Sequence, residues 1–105
     1  MIRLTSIDQL DKLRDKNEKL VIGAFADWAK DSCDMLSMLE KQSRTGLAIV
    51  FAEIDIDESE ELVSYLEIEE LPICFFIKNS EIIEIYEDSG LDELESKIKL
   101  FAEDT

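Results

Sequence analysis

Residues 19–26, KLVIGAFA, form an almost unbroken apolar run. A strand with one face in water alternates apolar and polar side chains, whereas this run offers apolar side chains to both faces. It therefore predicts a central strand that is covered on both sides. The runs at 47–56 and 73–78 have the same character, so the chain can build a sheet that is largely buried.

Four amphipathic segments lie before, between and after these runs. Their apolar residues recur three or four positions apart, as in helices that pack on a sheet. The predicted helices span residues 7–16, 32–42, 57–66 and 91–103. Ser6 and Gln9 have the spacing of a capping box at the start of the first helix.

Two shorter strands complete the pattern. Residues 2–4 predict a first strand, and residues 79–80 predict a turn before an edge or half-covered strand at 81–87, where isoleucines alternate with acids. The order is then β-α-β-α-β-α-β-β-α. Such an order predicts one α/β domain over residues 1–105, with a central mixed sheet and helices on both faces.

The charge of the chain restricts its partners. It has 26 acids, 11 bases and no histidine, which gives a net charge of −15. This field repels phosphate, so we expect neither nucleic acid nor an anionic membrane as a partner. Basic protein surfaces are the partners that this charge favours. Without histidine, imidazole metal sites and Ser–His or Cys–His mechanisms are excluded. Residues 55–61 lack the glycine of a calcium loop, so no metal or cofactor is predicted.

The two cysteines and the N-terminal segment bear on the compartment. The first residues are charged every few positions, unlike a secretory signal, and the chain has no apolar run of about 20 residues. We therefore expect the protein in the cytoplasm, with the nucleus as a second compartment. Cys74 lies in an apolar run and is predicted to be a core residue. Cys33 is predicted on the exposed side of its helix, so a disulfide between the two is not expected.

Two stretches of the chain resemble the thioredoxin family. FADWAKDSC, from Phe25, is similar to the family's F-x-x-W-C-x-x-C, and ELPICFF is similar to the segment that carries a cis-proline. The resemblance implies a thioredoxin fold with a cis bond at Pro72, where the family pairs its backbone with an extended peptide. The implied groove for a partner protein is bordered by Trp28, Ala29, Ser32, Leu71, Pro72 and Ile73.

The resemblance does not include the family's dithiol. Ala29 and Ser32 stand at the positions of the two exchanging cysteines, and neither side chain can attack or resolve a disulfide. Gly23 and Glu53 replace the family's buried aspartate and its lysine partner, and Glu87 aligns with a glycine of the groove. We therefore expect a binding module without dithiol oxidoreductase activity.

One branch of the family is the most similar. Trp28, Ala29 and Met35 resemble the W-A-x-x-C-x-x-M frame of the thioredoxin-like N-terminal domains of multidomain monothiol glutaredoxins, with Ser32 at the cysteine position. This resemblance implies a protein-binding role in redox or iron homeostasis. It also implies that the chain is an accessory protein-binding module or a fragment of a longer protein. In that branch the cluster-binding cysteine lies in a separate glutaredoxin domain, so no cluster is expected here.

The alternative hypothesis is enzymatic and depends on Cys33. A divergent monothiol enzyme would use this thiol to form mixed disulfides that an external thiol resolves. The start of a helix favours a thiolate, whereas the neighbouring Asp31 and Asp34 oppose it. Cys33 is therefore the candidate catalytic residue of this second hypothesis.

Overall fold

The structure, a computed structural model, describes residues 1–104. The strands are β1 (Ile2–Arg3), β2 (Lys19–Phe25), β3 (Val50–Asp55), β4 (Ile73–Lys78) and β5 (Glu81–Tyr86). The helices are α1 (Ile7–Lys16), α2 (Lys30–Ser43), α3 (Glu60–Tyr65) and α4 (Leu91–Glu103). The strands form one sheet in the order β1-β3-β2-β4-β5. β1, β3 and β2 are parallel, whereas β4 and β5 are antiparallel to their neighbours.

The predicted element order and the mixed sheet are confirmed, but several boundaries differ. α3 begins at Glu60 rather than at residue 57. β3 begins at Val50 rather than at residue 47, because Val50 is the first residue that meets a partner, Leu20 of β2. α2 begins at Lys30, two residues earlier than its apolar periodicity indicates. Among residues 1–104, no helix is long and apolar enough to cross a bilayer.

Two helices cover each face of the sheet. Leu10 of α1 and Leu62 of α3 are fully buried in the core on one face, the α1/α3 face. Met35 of α2 and Leu94 of α4 are buried in the core on the other, the α2/α4 face. β2 lies between these two cores and is buried along its whole length, as its apolar run predicts.

The start of α1 departs from the predicted capping box. The Ser6 hydroxyl accepts a hydrogen bond from the Gln9 amide, as expected. The Gln9 side chain accepts from the amide of Thr5, at 2.6 Å, and not from that of Ser6. Glu61 of α3 also accepts from the amide of Ile7 at 2.7 Å, so α3 helps to cap α1 across the face that they share.

Candidate functional site

The loop between β2 and α2 is fastened by Ser32. Ala29 is the N-cap of α2 and has no side chain with which to cap it. Ser32, which is fully buried, accepts a hydrogen bond from the Ala26 amide at 3.2 Å and donates one to the Ala29 carbonyl at 2.6 Å. The hydroxyl therefore fixes the course of the loop that carries Trp28.

Trp28 stands out from this loop into solvent. Its side chain is 71% exposed, which is unusual for the largest apolar residue type. The indole nitrogen donates a hydrogen bond to the Asp57 carboxylate at 3.0 Å. Asp57 is itself positioned, because its amide donates to the Asp55 side chain at 3.0 Å. The ring is therefore held in one orientation with a face free for contact.

The bend before β4 lies opposite Trp28. The Leu71–Pro72 peptide bond is cis, as the family resemblance implies. The ladder between β2 and β4 begins only at Ile73, which pairs with Ala24. Across residues 1–104, the backbone of Leu71 takes no partner in the turns and loops. Its amide and carbonyl are therefore available to an extended peptide.

A cleft of ≈ 380 Å³ lies between the tryptophan loop and this bend. It is lined by Trp28, Ala29, Ile56, Ile68, Glu69, Glu70 and Leu71. The floor is apolar, and both glutamates are exposed at the rim. The cleft is therefore apolar at its floor and acidic at its rim.

The six predicted groove residues occupy three different environments. Trp28 is exposed, and Ala29 and Leu71 are half-buried, so these three line the cleft together. Pro72 is buried at the bend. The remaining two, Ser32 and Ile73, are buried as well, so they contribute to the groove through the backbone that they hold.

Cys33 is less exposed than its helical position predicts. Its sulfur lies 3.3 Å from the Ala26 carbonyl oxygen and 3.9 Å from that of Asp27, because the loop folds back over the first turn of α2. The thiol donates to these two oxygens. Cys74 is fully buried, and burial raises the pKa of its thiol. Both cysteines are free.

Gly23 and Glu53, which align with the family's buried aspartate and its lysine partner, have other groups around them. A Cβ atom on Gly23 would lie 2.5 Å from Leu39 Cδ1 and 3.1 Å from Met35 Cε. The Glu53 carboxylate lies 2.9 Å from the Arg3 guanidinium. The space beside Gly23 is thus filled by α2, and no buried acid is present there.

Several cleft residues were missed by sequence reasoning. Ile56 ends the apolar run at 47–56, and Ile68, Glu69 and Glu70 belong to a connection without apolar periodicity. Only the spatial meeting of two loops brings these four residues together. Asp57 is the first residue of the predicted helix at 57–66, whereas in the structure it lies before α3 and accepts the hydrogen bond from Trp28. Glu87, predicted at the groove, is exposed directly after β5. Within residues 1–104, no group of His, Cys, Asp and Glu is arranged to hold a metal ion.

Comparisons with known proteins agree with this architecture. The thioredoxin family profile matches residues 2–100. Thioredoxin-1 of Caenorhabditis elegans is 34% identical over 88 residues, which cover 82% of this chain and 76% of that protein. Thioredoxin 1 of Plasmodium falciparum (isolate 3D7) is 27% identical over 97 residues, covering 90% of this chain and 93% of that protein. The solved thioredoxin of Fasciola hepatica superposes with a TM-score of 0.89 at 22% identity, over 96% of this chain and 99% of that chain. The chain belongs to the thioredoxin family.

Proposed function

We propose that this chain is a thioredoxin-fold binding module that holds an extended segment of a partner protein between Trp28 and Leu71 and does not run dithiol exchange. The observation that carries the proposal is the exposed, oriented indole of Trp28 beside a bend whose backbone has free hydrogen-bonding groups. Ala29 and Ser32, at the two ends of the first turn of α2, support the absence of dithiol chemistry.

The chemistry of the cleft indicates what such a segment carries. Apolar side chains fit the floor, and Lys or Arg side chains fit the rim formed by Glu69 and Glu70. An Arg or Lys over the free face of Trp28 gains a cation–π contact. Main-chain pairing at Leu71 adds affinity that does not depend on sequence.

We further propose a role that rests on the resemblance to one branch of the family. Trp28, Ala29 and Met35 share the frame found in the thioredoxin-like domains of monothiol glutaredoxins. A module of this kind acts in the cytoplasm, and also in the nucleus, and serves redox or iron homeostasis through its partners. In this proposal the chain works as one part of a longer protein.

The alternative function uses Cys33 as a single nucleophile. Its place in the first turn of α2 favours this chemistry, whereas the Ala26 and Asp27 carbonyl oxygens near its sulfur oppose it. An enzyme of this type forms a mixed disulfide through Cys33, and a second thiol such as glutathione then releases the product.

Insulin reduction distinguishes the two functions. The wild type and Cys33→Ser are compared with and without glutathione, with the Caenorhabditis elegans relative in parallel as a working thioredoxin. We expect turnover by neither the wild type nor the variant. Turnover that disappears in Cys33→Ser would make Cys33 a nucleophile and overturn the binding-module proposal.

Alkylation of the two cysteines provides a second test. We expect Cys33 to react with iodoacetamide more slowly than a free peptide thiol, because it is half-buried against carbonyl oxygens. Cys74 should react only after unfolding, because burial raises the pKa of its thiol. Mass spectrometry with and without urea reads both sites. Selective, rapid labelling of Cys33 in the folded protein would contradict the expectation.

The binding half of the proposal is tested by selection. A random peptide library displayed on phage is selected on the wild type and counter-selected on Trp28→Ala. We expect peptides that mix apolar and basic residues and lose binding to the variant. Ile2→Ala is the matched control, since Ile2 is also an exposed apolar residue but lies outside the cleft, on β1. Peptides that bind all three proteins equally would exclude the cleft as their site.

A further inference from the structure

The exposed apolar surface of this protein is concentrated at one edge of the sheet. Seven large apolar side chains are exposed in residues 1–104. Three of them, Ile82, Ile83 and Ile85, belong to β5, and a fourth, Leu100 of α4, lines a shallow cleft with Ile83. Clustered exposed apolar residues are typical of interaction surfaces, whereas single ones are ordinary.

An irregularity in the β4–β5 ladder sorts the β5 side chains onto two faces. The register shifts between Phe76 and Ile77, so that Ile82 pairs with Ile77 and Ile85 with Phe75. Both partners belong to the core on the α1/α3 face, and Ile82 and Ile85 therefore lie side by side on that face.

The acids of β5 lie on the other face. Glu84 pairs with Phe76, which belongs to the core on the α2/α4 face. Glu81 pairs with Lys78, which lies two positions after Phe76 on β4 and therefore on the same face. The edge thus has Ile82 and Ile85 on one face and Glu81 and Glu84 on the other. Ile83 also lies on the α2/α4 face, and Lys97 of α4 forms an ion pair with Glu84 there at 2.7 Å.

The backbone of β5 is open on its outer side. β5 is the last strand of the sheet, so only β4 pairs with it. Soluble proteins usually protect such an edge with charged residues, proline, β-bulges or a covering segment. Here the strand is six residues long and carries three exposed isoleucines, and its protection consists of two glutamates and the irregularity opposite Phe76. An exposed edge of this kind can accept one further strand through main-chain hydrogen bonds.

We propose that β5 is a second docking surface, which adds a strand from a partner protein in which apolar residues alternate with Lys or Arg. Alternation places the apolar side chains of that strand beside Ile82 and Ile85 and its basic side chains beside Glu81 and Glu84. The net charge of −15 attracts such a segment. The same charge repels a second copy of this chain, which makes a heterologous strand the occupant.

The probe is a fluorescein-labelled peptide in which valine alternates with lysine, and binding is measured by fluorescence anisotropy at physiological ionic strength. Two control peptides have the same composition. In one, the valines and lysines form two blocks, which keeps the charge and removes the alternation. In the other, alternate backbone amides are N-methylated, which removes half of the donors for pairing. We expect both controls to bind at least about tenfold more weakly.

Protein variants locate the site. Ile82→Thr/Ile85→Thr keeps β-branched residues in the strand and should weaken binding about tenfold, through lost apolar contact at two cross-strand positions. Ile2→Thr is the matched control, because Ile2 is 44% exposed and Ile85 is 46% exposed, and Ile2 lies on β1 at the opposite edge. Its affinity should equal that of the wild type. Urea unfolding of each variant confirms that it is folded.

Three outcomes would overturn the proposal. Equal binding of the alternating and N-methylated peptides would reduce the interaction to charge attraction. Binding lost in Trp28→Ala but kept in Ile82→Thr/Ile85→Thr would place the peptide in the cleft. Sedimentation equilibrium that shows a dimer of the wild type, dissociated by Ile82→Thr/Ile85→Thr, would make a second copy the occupant of the edge.

Discussion

At the scale of single residues, Gly23 shows most clearly how α2 is seated on the sheet. It lies in the middle of β2, where a Cβ atom would come within 2.5 Å of Leu39 Cδ1. We expect Gly23→Ala to lower the free energy of unfolding by about 1–3 kcal/mol, because the core has no room for an added methyl group. Urea unfolding followed by circular dichroism measures the change.

The Leu39→Ala background is the control for this prediction. It removes the side chain that the new methyl group would meet, so Gly23→Ala should cost less there than in the wild type. An equal cost in both backgrounds would show that the contact with Leu39 is not the cause. Gly23→Asp should be worse than Gly23→Ala, since it also buries a carboxylate without a partner.

The exposure of single side chains could be predicted from the sequence only in part. The exposure of Trp28 follows from its place in a loop, and the burial of Cys74 follows from its apolar run. The burial of Ser32 and the partial burial of Cys33 do not follow from helical spacing. Both depend on the loop that folds back over the start of α2, and a helical projection contains no information about such a loop.

At the scale of elements, α3 ends with a non-glycine residue in a left-handed conformation. Glu67 has φ +54°, and the next amide, that of Ile68, donates to the Val63 carbonyl at 2.9 Å. Glycine usually occupies this position at a helix end, because a Cβ atom is strained there. We expect Glu67→Gly to raise the free energy of unfolding by about 0.5–1 kcal/mol, as measured by urea unfolding.

Glu67→Ala separates backbone strain from charge. It removes the same negative charge but keeps a Cβ atom, so it should give little or none of the gain. If both variants stabilise the protein equally, relief of charge repulsion is the cause and the conformational argument fails.

The elements themselves were largely predictable from the sequence. Apolar runs and helical periodicity identify all five strands and four helices in order, because burial on one or both faces dictates the pattern. The start of β3 at Val50 was not predictable, since it depends on where β2 offers a partner. The irregularity that turns Ile82 and Ile85 to one face could not be predicted from the sequence either, because it is a property of the paired strands.

At the scale of the whole molecule, two opposing electrostatic effects determine the dependence of stability on pH. The net charge of −15 produces a general repulsion that weakens as carboxylates gain protons. Two acids act in the opposite direction. A hydrogen bond from the N-terminal ammonium, aided by Arg44, holds the pKa of Glu40 below its usual value, and a hydrogen bond from Lys78 does the same for the pKa of Asp104.

A pKa that is lower in the folded state than in the unfolded state gives stability that is fully present above the unfolded value and is lost as pH falls through the folded value. The general repulsion weakens only once carboxylates begin to gain protons, below about pH 6, so stability should rise from there towards about pH 5. The loss of the two ion pairs dominates below about pH 4. We expect maximal stability near about pH 5. Urea, which does not screen charge, is the denaturant for measuring this profile.

Two controls test the causes of the expected rise in stability above about pH 5, the repulsive limb, and of the loss below about pH 4, the acid limb. Added sodium chloride should raise stability at pH 7 and have little effect near the isoelectric point of ≈ 4.2, since only the repulsive limb is a net-charge effect. Glu40→Gln/Asp104→Asn should flatten the acid limb, because neither variant side chain takes up a proton there. Stability that declines steadily from pH 7 downwards, without a maximum, would mean that specific ion pairs outweigh the repulsion of the whole chain at every pH.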